Sequence, residues 1–178
     1  MPKVTFVKKA RKAIPDAGIK AGDAYYWWKF RYGGIHRSLT PPKPSQLTQS
    51  AFISTMLDLQ DRTSTLASGL RDGTTTCGDA ESELSDIASE VRSAGEECQS
   101  SLDNMPEGLQ QGSTGQLLEA RVEAADTIAD ELEGIQVPDE EEEDPNDKEE
   151  DGESVDDKNQ DMRNELADEV DGVDWSYE

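Results

Sequence analysis

The hydrophobic pattern of the chain changes period along its length, and each change marks an element. In residues 25–32, Tyr26, Trp28, Phe30 and Tyr32 alternate with Tyr25, Trp27, Lys29 and Arg31. Period two with aromatic enrichment predicts a β-strand. Gly33-Gly34 reads as a two-residue turn able to take positive φ at both positions, and Ile35 to Leu39 as the return strand. The expected element is a β-hairpin with one face packed and the other carrying Lys29, Arg31 and Arg37. Upstream, VTFV (4–7) reads as a short strand. Residues 8–23, with Pro15, Gly18 and Gly22, read as a loop with at most one helical turn. The proline-rich TPPKPS (40–45) is an extended spacer.

From Gln46 the period becomes 3.6. Phe52, Ile53, Met56, Leu57, Leu59, Leu66 and Leu70 form one broad stripe, capped by Ser45 or Thr48 and ended by Gly69 and the RDGTTTCGD stretch. A second helix carries Cys77, Ala80, Leu84, Ile87, Val91, Ala94 and Cys98 at alternating spacings of 3 and 4, a heptad seam. Pro106, Gly108, Gly112 and Gly115 break it. A third helix runs from about Gln116 to Glu133, with Leu118, Val122, Ala125, Ala129 and Leu132 on one face and Ser113 or Thr114 as cap. Short linkers predict an antiparallel, coiled-coil-like three-helix segment over 46–137. Its seams could close within the chain or recruit a second copy. Residues 138–178 offer little to bury and are expected to be disordered. Met162, Leu166, Val170 and Val173 leave room there for a short terminal helix, and Trp175 and Tyr177 follow. The fold class is therefore mainly α: a β-hairpin module (1–45), a helical hairpin or bundle (46–137) and an acidic tail (138–178).

Charge sharpens this division. Of the net −23, residues 1–45 contribute +8, residues 46–137 contribute −14 and residues 138–178 contribute −17. Such asymmetry points to electrostatic partners, or to segments that meet one another. An acidic tail ending in aromatics could imitate nucleic acid or dock on the basic module. Only 33% of the chain is hydrophobic, too little for a large enzyme core. No apolar run reaches the ~18–20 residues of a membrane span, and MPKVTFVKKARKAIP lacks the apolar stretch of a signal peptide. A cytoplasmic protein is expected.

Catalytic chemistry has no visible seat. Phosphate-loop, dinucleotide, HExxH and GxSxG motifs are missing, and the acidic pairs lie on helical surfaces or in the tail. Cys77 and Cys98 share one heptad position 21 residues apart, which on one helix separates them by roughly 30 Å. A disulfide needs ~4.4–6.8 Å, so both are expected as buried free thiols. With His36 as the single histidine, no metal site is expected. The chain is expected to be no enzyme and to need no cofactor.

Aromatics interleaved with cations are what a nucleic-acid surface uses: rings stack on bases and Lys or Arg meets phosphates. Candidate phosphate contacts are Lys8, Lys9, Arg11, Lys12, Lys29, Arg31 and Arg37, and candidate stacking residues are Tyr25 and Trp27. The same rings could instead form the core of a tiny domain, since 45 residues have little else to bury, or a protein interface.

The stretch KARKAIPDAGIKAGDAYYWWKFRYGGIHRSLTPPKPSQLTQSAF, with GEECQSSLDNMPEGLQ and GQLLEARVEA further on, resembles a group of small bacteriophage and prophage-type proteins of unassigned function. The resemblance covers most of residues 3–137. It implies a phage accessory, virion-associated or host-takeover protein, and brings no activity or site residues. Three functions are consistent with these features. One is a nucleic-acid-associated adaptor whose helices hold a protein partner. Another is an acidic inhibitor that occupies a host protein's nucleic-acid groove. The last is an assembly protein that oligomerises through its heptads.

Overall fold

The computed structural model describes residues 1–140 and 155–177. It is mainly helical, with a small three-stranded antiparallel sheet at the N-terminus. The chain divides into two compact units, Met1–Leu57 and Asp58–Glu178, with the division falling inside a long helix.

In the first unit, β1 (Thr5–Val7), β2 (Tyr25–Lys29) and β3 (Ile35–Ser38) lie in sequence order, with β2 central. VTFV thus adds a third strand to the expected hairpin. Thr5 pairs with Trp27 and Val7 with Tyr25; on the other side Trp27 pairs with Arg37, and Lys29 with Ile35. The turn differs from expectation. Pairing stops at Lys29–Ile35, so the connection is the longer stretch 30–34, and neither Gly33 nor Gly34 has positive φ. The Gly33 N–H instead closes the loop by donating to the Phe30 carbonyl at 3.3 Å. The 8–23 loop folds back on itself through Ala10 N–H to Asp23 O (2.7 Å) and Gly22 N–H to Ala10 O (2.9 Å), and holds a 3-10 turn at Pro15–Ala17. Ala10, Ile19, Trp28, Ser45, Phe52 and Met56 are buried.

The helices are α1 (Ala51–Arg71), α2 (Cys77–Asp103), α3 (Glu107–Gln110), α4 (Ser113–Gly134) and α5 (Val155–Asp171). Neither Ser45 nor Thr48 caps α1. The Ile53 N–H donates to Ser50 Oγ at 3.4 Å, while Ser45 is buried and its carbonyl accepts from Ser54 Oγ–H. The helix runs past Gly69 and ends two residues later, where Gly73, at φ +68, takes the left-handed conformation that stops it. Thr76 caps α2 by accepting from the Asp79 N–H at 3.1 Å. The cap residue of α4 is Gly112, not Ser113 or Thr114, which are already helical.

All seven seam residues of α2 are buried, and so are Ala88 and Gly95 beside them. Such a stripe is wider than the two positions per heptad of a coiled coil and is what a globular bundle buries. Helix α2 packs closely on α4: a Cβ on Gly95 would sit 2.9 Å from the Ala125 Cβ. Arg92 of α2 bridges Asp130 and Glu133 of α4, and Arg62 of α1 bridges Glu83 and Glu90 of α2. Gly95 against Ala125 and Arg92 against Asp130 and Glu133 run in opposite chain order, so α2 and α4 are antiparallel. At the α2–α3 corner the Gln110 side-chain amide donates to the Leu102 and Met105 carbonyls.

The short terminal helix for which the sequence leaves room is present as α5, and the disorder expected over 138–178 is corrected for that stretch. Helix α5 has 17 residues and buries Asn159, Leu166, Ala167 and Val170. Residues 141–154 of that expectation lie outside the described residues. Polar groups fasten α5 to the rest of the second unit. Arg71 pairs with Asp168 and Asp171, and the Gln160 side-chain amide donates to the Leu70 and Arg71 carbonyls at the end of α1. Glu140 accepts at Oε1 from Arg163 Nε–H (2.6 Å) and from the Cys77 backbone N–H (3.0 Å), one of the open amides at the start of α2. These bonds span up to 100 residues of sequence. Local patterning cannot show them.

Candidate nucleic-acid interface

Successive side chains of a strand point to opposite faces, so the register sorts the sheet. One face carries Phe6, Tyr26, Trp28 and His36. Phe6 and Tyr26 rings lie 4.9 Å apart, Trp28 stacks on His36 at 5.6 Å, and Phe30 meets His36 edge-on at 5.4 Å. Trp28 is buried, and its indole N–H has no hydrogen-bond partner among the described residues. Trp28 is the buried residue of this face; Tyr26 is partly exposed, and Phe6 and His36 are exposed.

The other face carries Tyr25, Trp27 and Lys29 along β2. Arg37 and Ile35 flank them on β3, and Thr5 and Val7 on β1. The register therefore brings four of the candidate residues together: Tyr25, Trp27, Lys29 and Arg37. Tyr25 and Trp27 are partly exposed, whereas Lys29 and Arg37 are exposed. Trp27 sits between the short Thr5 side chain on one side and Arg37 on the other. Directly opposed side chains in an antiparallel pair have Cβ atoms ~4.5–5.5 Å apart, so one ligand can touch both the indole and the guanidinium.

The remaining candidates lie off this face. Arg31 is exposed in the 30–34 loop, with its guanidinium 5.3 Å from the centre of the Tyr32 ring. Lys8, Lys9, Arg11 and Lys12 are exposed in the loop after β1. The bonds of Ala10 to Asp23 and Gly22 hold that loop beside the entry to β2. Sequence alternation grouped Tyr32 with the packed rings, but it is 85% exposed at the hairpin tip, and Ile35 and Leu39 are about half exposed. The Gly33-Gly34 pair was the available signal. A loop opening at Phe30 rather than Gly33 breaks the alternation before Tyr32.

Reactive groups elsewhere are arranged for structure. Cys77 and Cys98 are buried free thiols. Burial, and then the hydrogen bond to Glu140, pushes the Cys77 thiol up to about 11, which suppresses its thiolate. The Arg163 side chain holds the Glu140 carboxyl at about 2, against the opposing effect of burial and with help from the Cys77 amide. Among the described residues no cluster of His, Cys, Asp or Glu could hold a metal ion, and no helix is long and apolar enough to cross a membrane. Neither a family model, nor a curated protein, nor a solved structure matches this chain.

Proposed function

We propose that the chain is a non-enzymatic, nucleic-acid-associated adaptor of phage type, acting in the host-cell cytoplasm. The sheet face of Tyr25, Trp27, Lys29 and Arg37 meets nucleic acid, and the helical unit holds a protein partner. The observation that carries this reading is the strand register. It sets two rings and two cations on the face opposite the buried Trp28. Charge supports it: residues 1–57 hold ten Lys and Arg against Asp16 and Asp23 alone, a balance of +8, while the rest of the chain carries −31. The test is a titration of full-length protein against a labelled oligonucleotide at several salt concentrations. Affinity should fall steeply with salt, because each phosphate contact releases counterions. No binding at low salt removes the reading.

One observation favours a second reading, the acidic decoy. Arg62, Arg71, Arg92 and Arg163 of the helical unit are all held in ion pairs with its own acids, which leaves its surface strongly negative. Oligomerisation through the α2 heptads has less support, because the seam is already buried within the chain.

A further inference from the structure

We infer that the ligand of this face is an unstacked single strand, with Tyr25 and Trp27 each taking one of two successive bases. The inference rests on the nucleic-acid reading above and adds the form of the nucleic acid. Its basis is spacing. Tyr25 and Trp27 are two residues apart on one strand and share a face, which sets their positions ~6.8 Å apart at ~3.4 Å per residue. Successive nucleotides of one strand in a duplex advance only ~3.4 Å along the axis. Stacked neighbours are thus about half as far apart as the two rings, and their faces are already covered. A strand drawn out of its stack opens that spacing and frees both faces of each base.

The surroundings fit an extended strand. Lys29 continues the line of Tyr25 and Trp27 along β2, and Arg37 stands opposite Trp27 on β3. Both reach the backbone of a strand that runs along β2. On the β1 side Thr5 and Val7 are short, so the flank of the rings is open. Basic groups continue past the Tyr25 end of this line, where the loop of Lys8, Lys9, Arg11 and Lys12 is held beside the entry to β2. Apart from the two cations, the polar groups of this face are the Thr5 and Tyr25 hydroxyls and the Trp27 indole N–H. That is too few to read base edges, so the platform takes strands with little regard to sequence.

The test uses full-length protein and fluorescence anisotropy with two labelled probes of about 15 nucleotides per strand, within the usual span of a single-strand site. The first is oligo-dT; the second is a hairpin duplex of equal charge. Salt near 0.1 M keeps the Debye length at ~10 Å and limits repulsion from the acidic helices. Oligo-dT should bind at least tenfold more tightly than the duplex. Trp27→Leu keeps an apolar side chain in the sheet but removes the ring, and should weaken oligo-dT binding on the order of tenfold to a hundredfold with the salt slope unchanged. Trp27→Phe should keep most of the affinity, which separates lost stacking from a damaged sheet. Lys29→Ala should reduce the salt slope by about one. Binding of neither probe overturns the nucleic-acid reading itself. Equal or tighter binding of the duplex, or a Trp27→Leu variant as tight as the parent, overturns the single-strand inference while leaving that reading in place. Salt-sensitive self-association in the absence of either probe, with no oligo-dT binding, assigns the face to a second copy's acidic surface instead.

Discussion

Replacing Glu140 by Gln isolates the contribution of one charge to the second unit. The Glu140 and Arg163 side chains are only 20% and 15% exposed, so solvent screens their pair weakly. Gln keeps the shape and an oxygen that can still accept from Arg163 Nε–H and the Cys77 N–H; the negative charge is what is lost. A carboxyl held at about 2 in the folded chain, against an ordinary 4.5, favours its ionised form there by roughly 3 kcal/mol. That is the ceiling, and charge-assisted hydrogen bonds of this kind contribute ~1.5–3 kcal/mol. Because the folded value is depressed, the stabilisation is present above the unfolded value and is lost as pH falls through the folded one. Glu140→Gln should therefore cost ~2 kcal/mol or more at pH 7, much the same at about pH 5, and less than half of that by about pH 3. The assay is urea unfolding of parent and variant followed by circular dichroism at each pH. Using the difference cancels the general effect of titrating the other acids. A cost below ~0.5 kcal/mol at pH 7, or one that does not shrink towards pH 3, refutes the buried pair.

Three further outcomes follow from the packing. Gly95→Val forces side-chain atoms into the space where even a Cβ lies 2.9 Å from Ala125, and should destabilise by ~1–3 kcal/mol in the same unfolding assay. Removing residues 155–178 exposes the sites that cover Leu166 and Val170, and should lower stability by roughly 3 kcal/mol or more at ~1.5–3 kcal/mol per side chain; an unchanged melting temperature would show that α5 does not pack. Denatured, unreduced protein should titrate two thiols, whereas in the folded protein at pH 8 Cys77 should react with an alkylating reagent about two orders of magnitude more slowly than when unfolded.

Elements whose partners lie close in sequence, or whose stripe is purely apolar, were legible. Every residue of the Cys77–Cys98 seam is buried, and the alternating run at 25–29 is the central strand. Elements defined by distant polar partners were not. Helix α5 is dense in acids, and the features that fix it, Arg71, Glu140 and the end of α1, are 23 to 100 residues away. Its apolar stripe was visible, but nothing local showed what would cover it. Helix α3 was hidden in a stretch whose proline and glycines read as a plain break, since its role depends on Gln110 reaching back to α2. At the candidate interface, alternation alone groups Tyr25, Trp27 and Lys29. Setting Arg37 opposite Trp27 and removing Arg31 needs the register, and the register depends on where the hairpin loop opens. A Gly-Gly pair suggests a tight turn, but the loop opens at Phe30.

The most direct test of the nucleic-acid face is residue-resolved. Isotope-labelled full-length protein, titrated with unlabelled oligo-dT near 0.1 M salt and followed by backbone amide and indole NMR signals, should show its largest changes at Tyr25–Lys29 and Ile35–Ser38 and at the Trp27 indole. The amides of α1 beyond Asp58, α2 and α4 should stay in place. Changes confined to those helices, or none at saturating oligonucleotide, would contradict the assignment of this sheet face to nucleic acid.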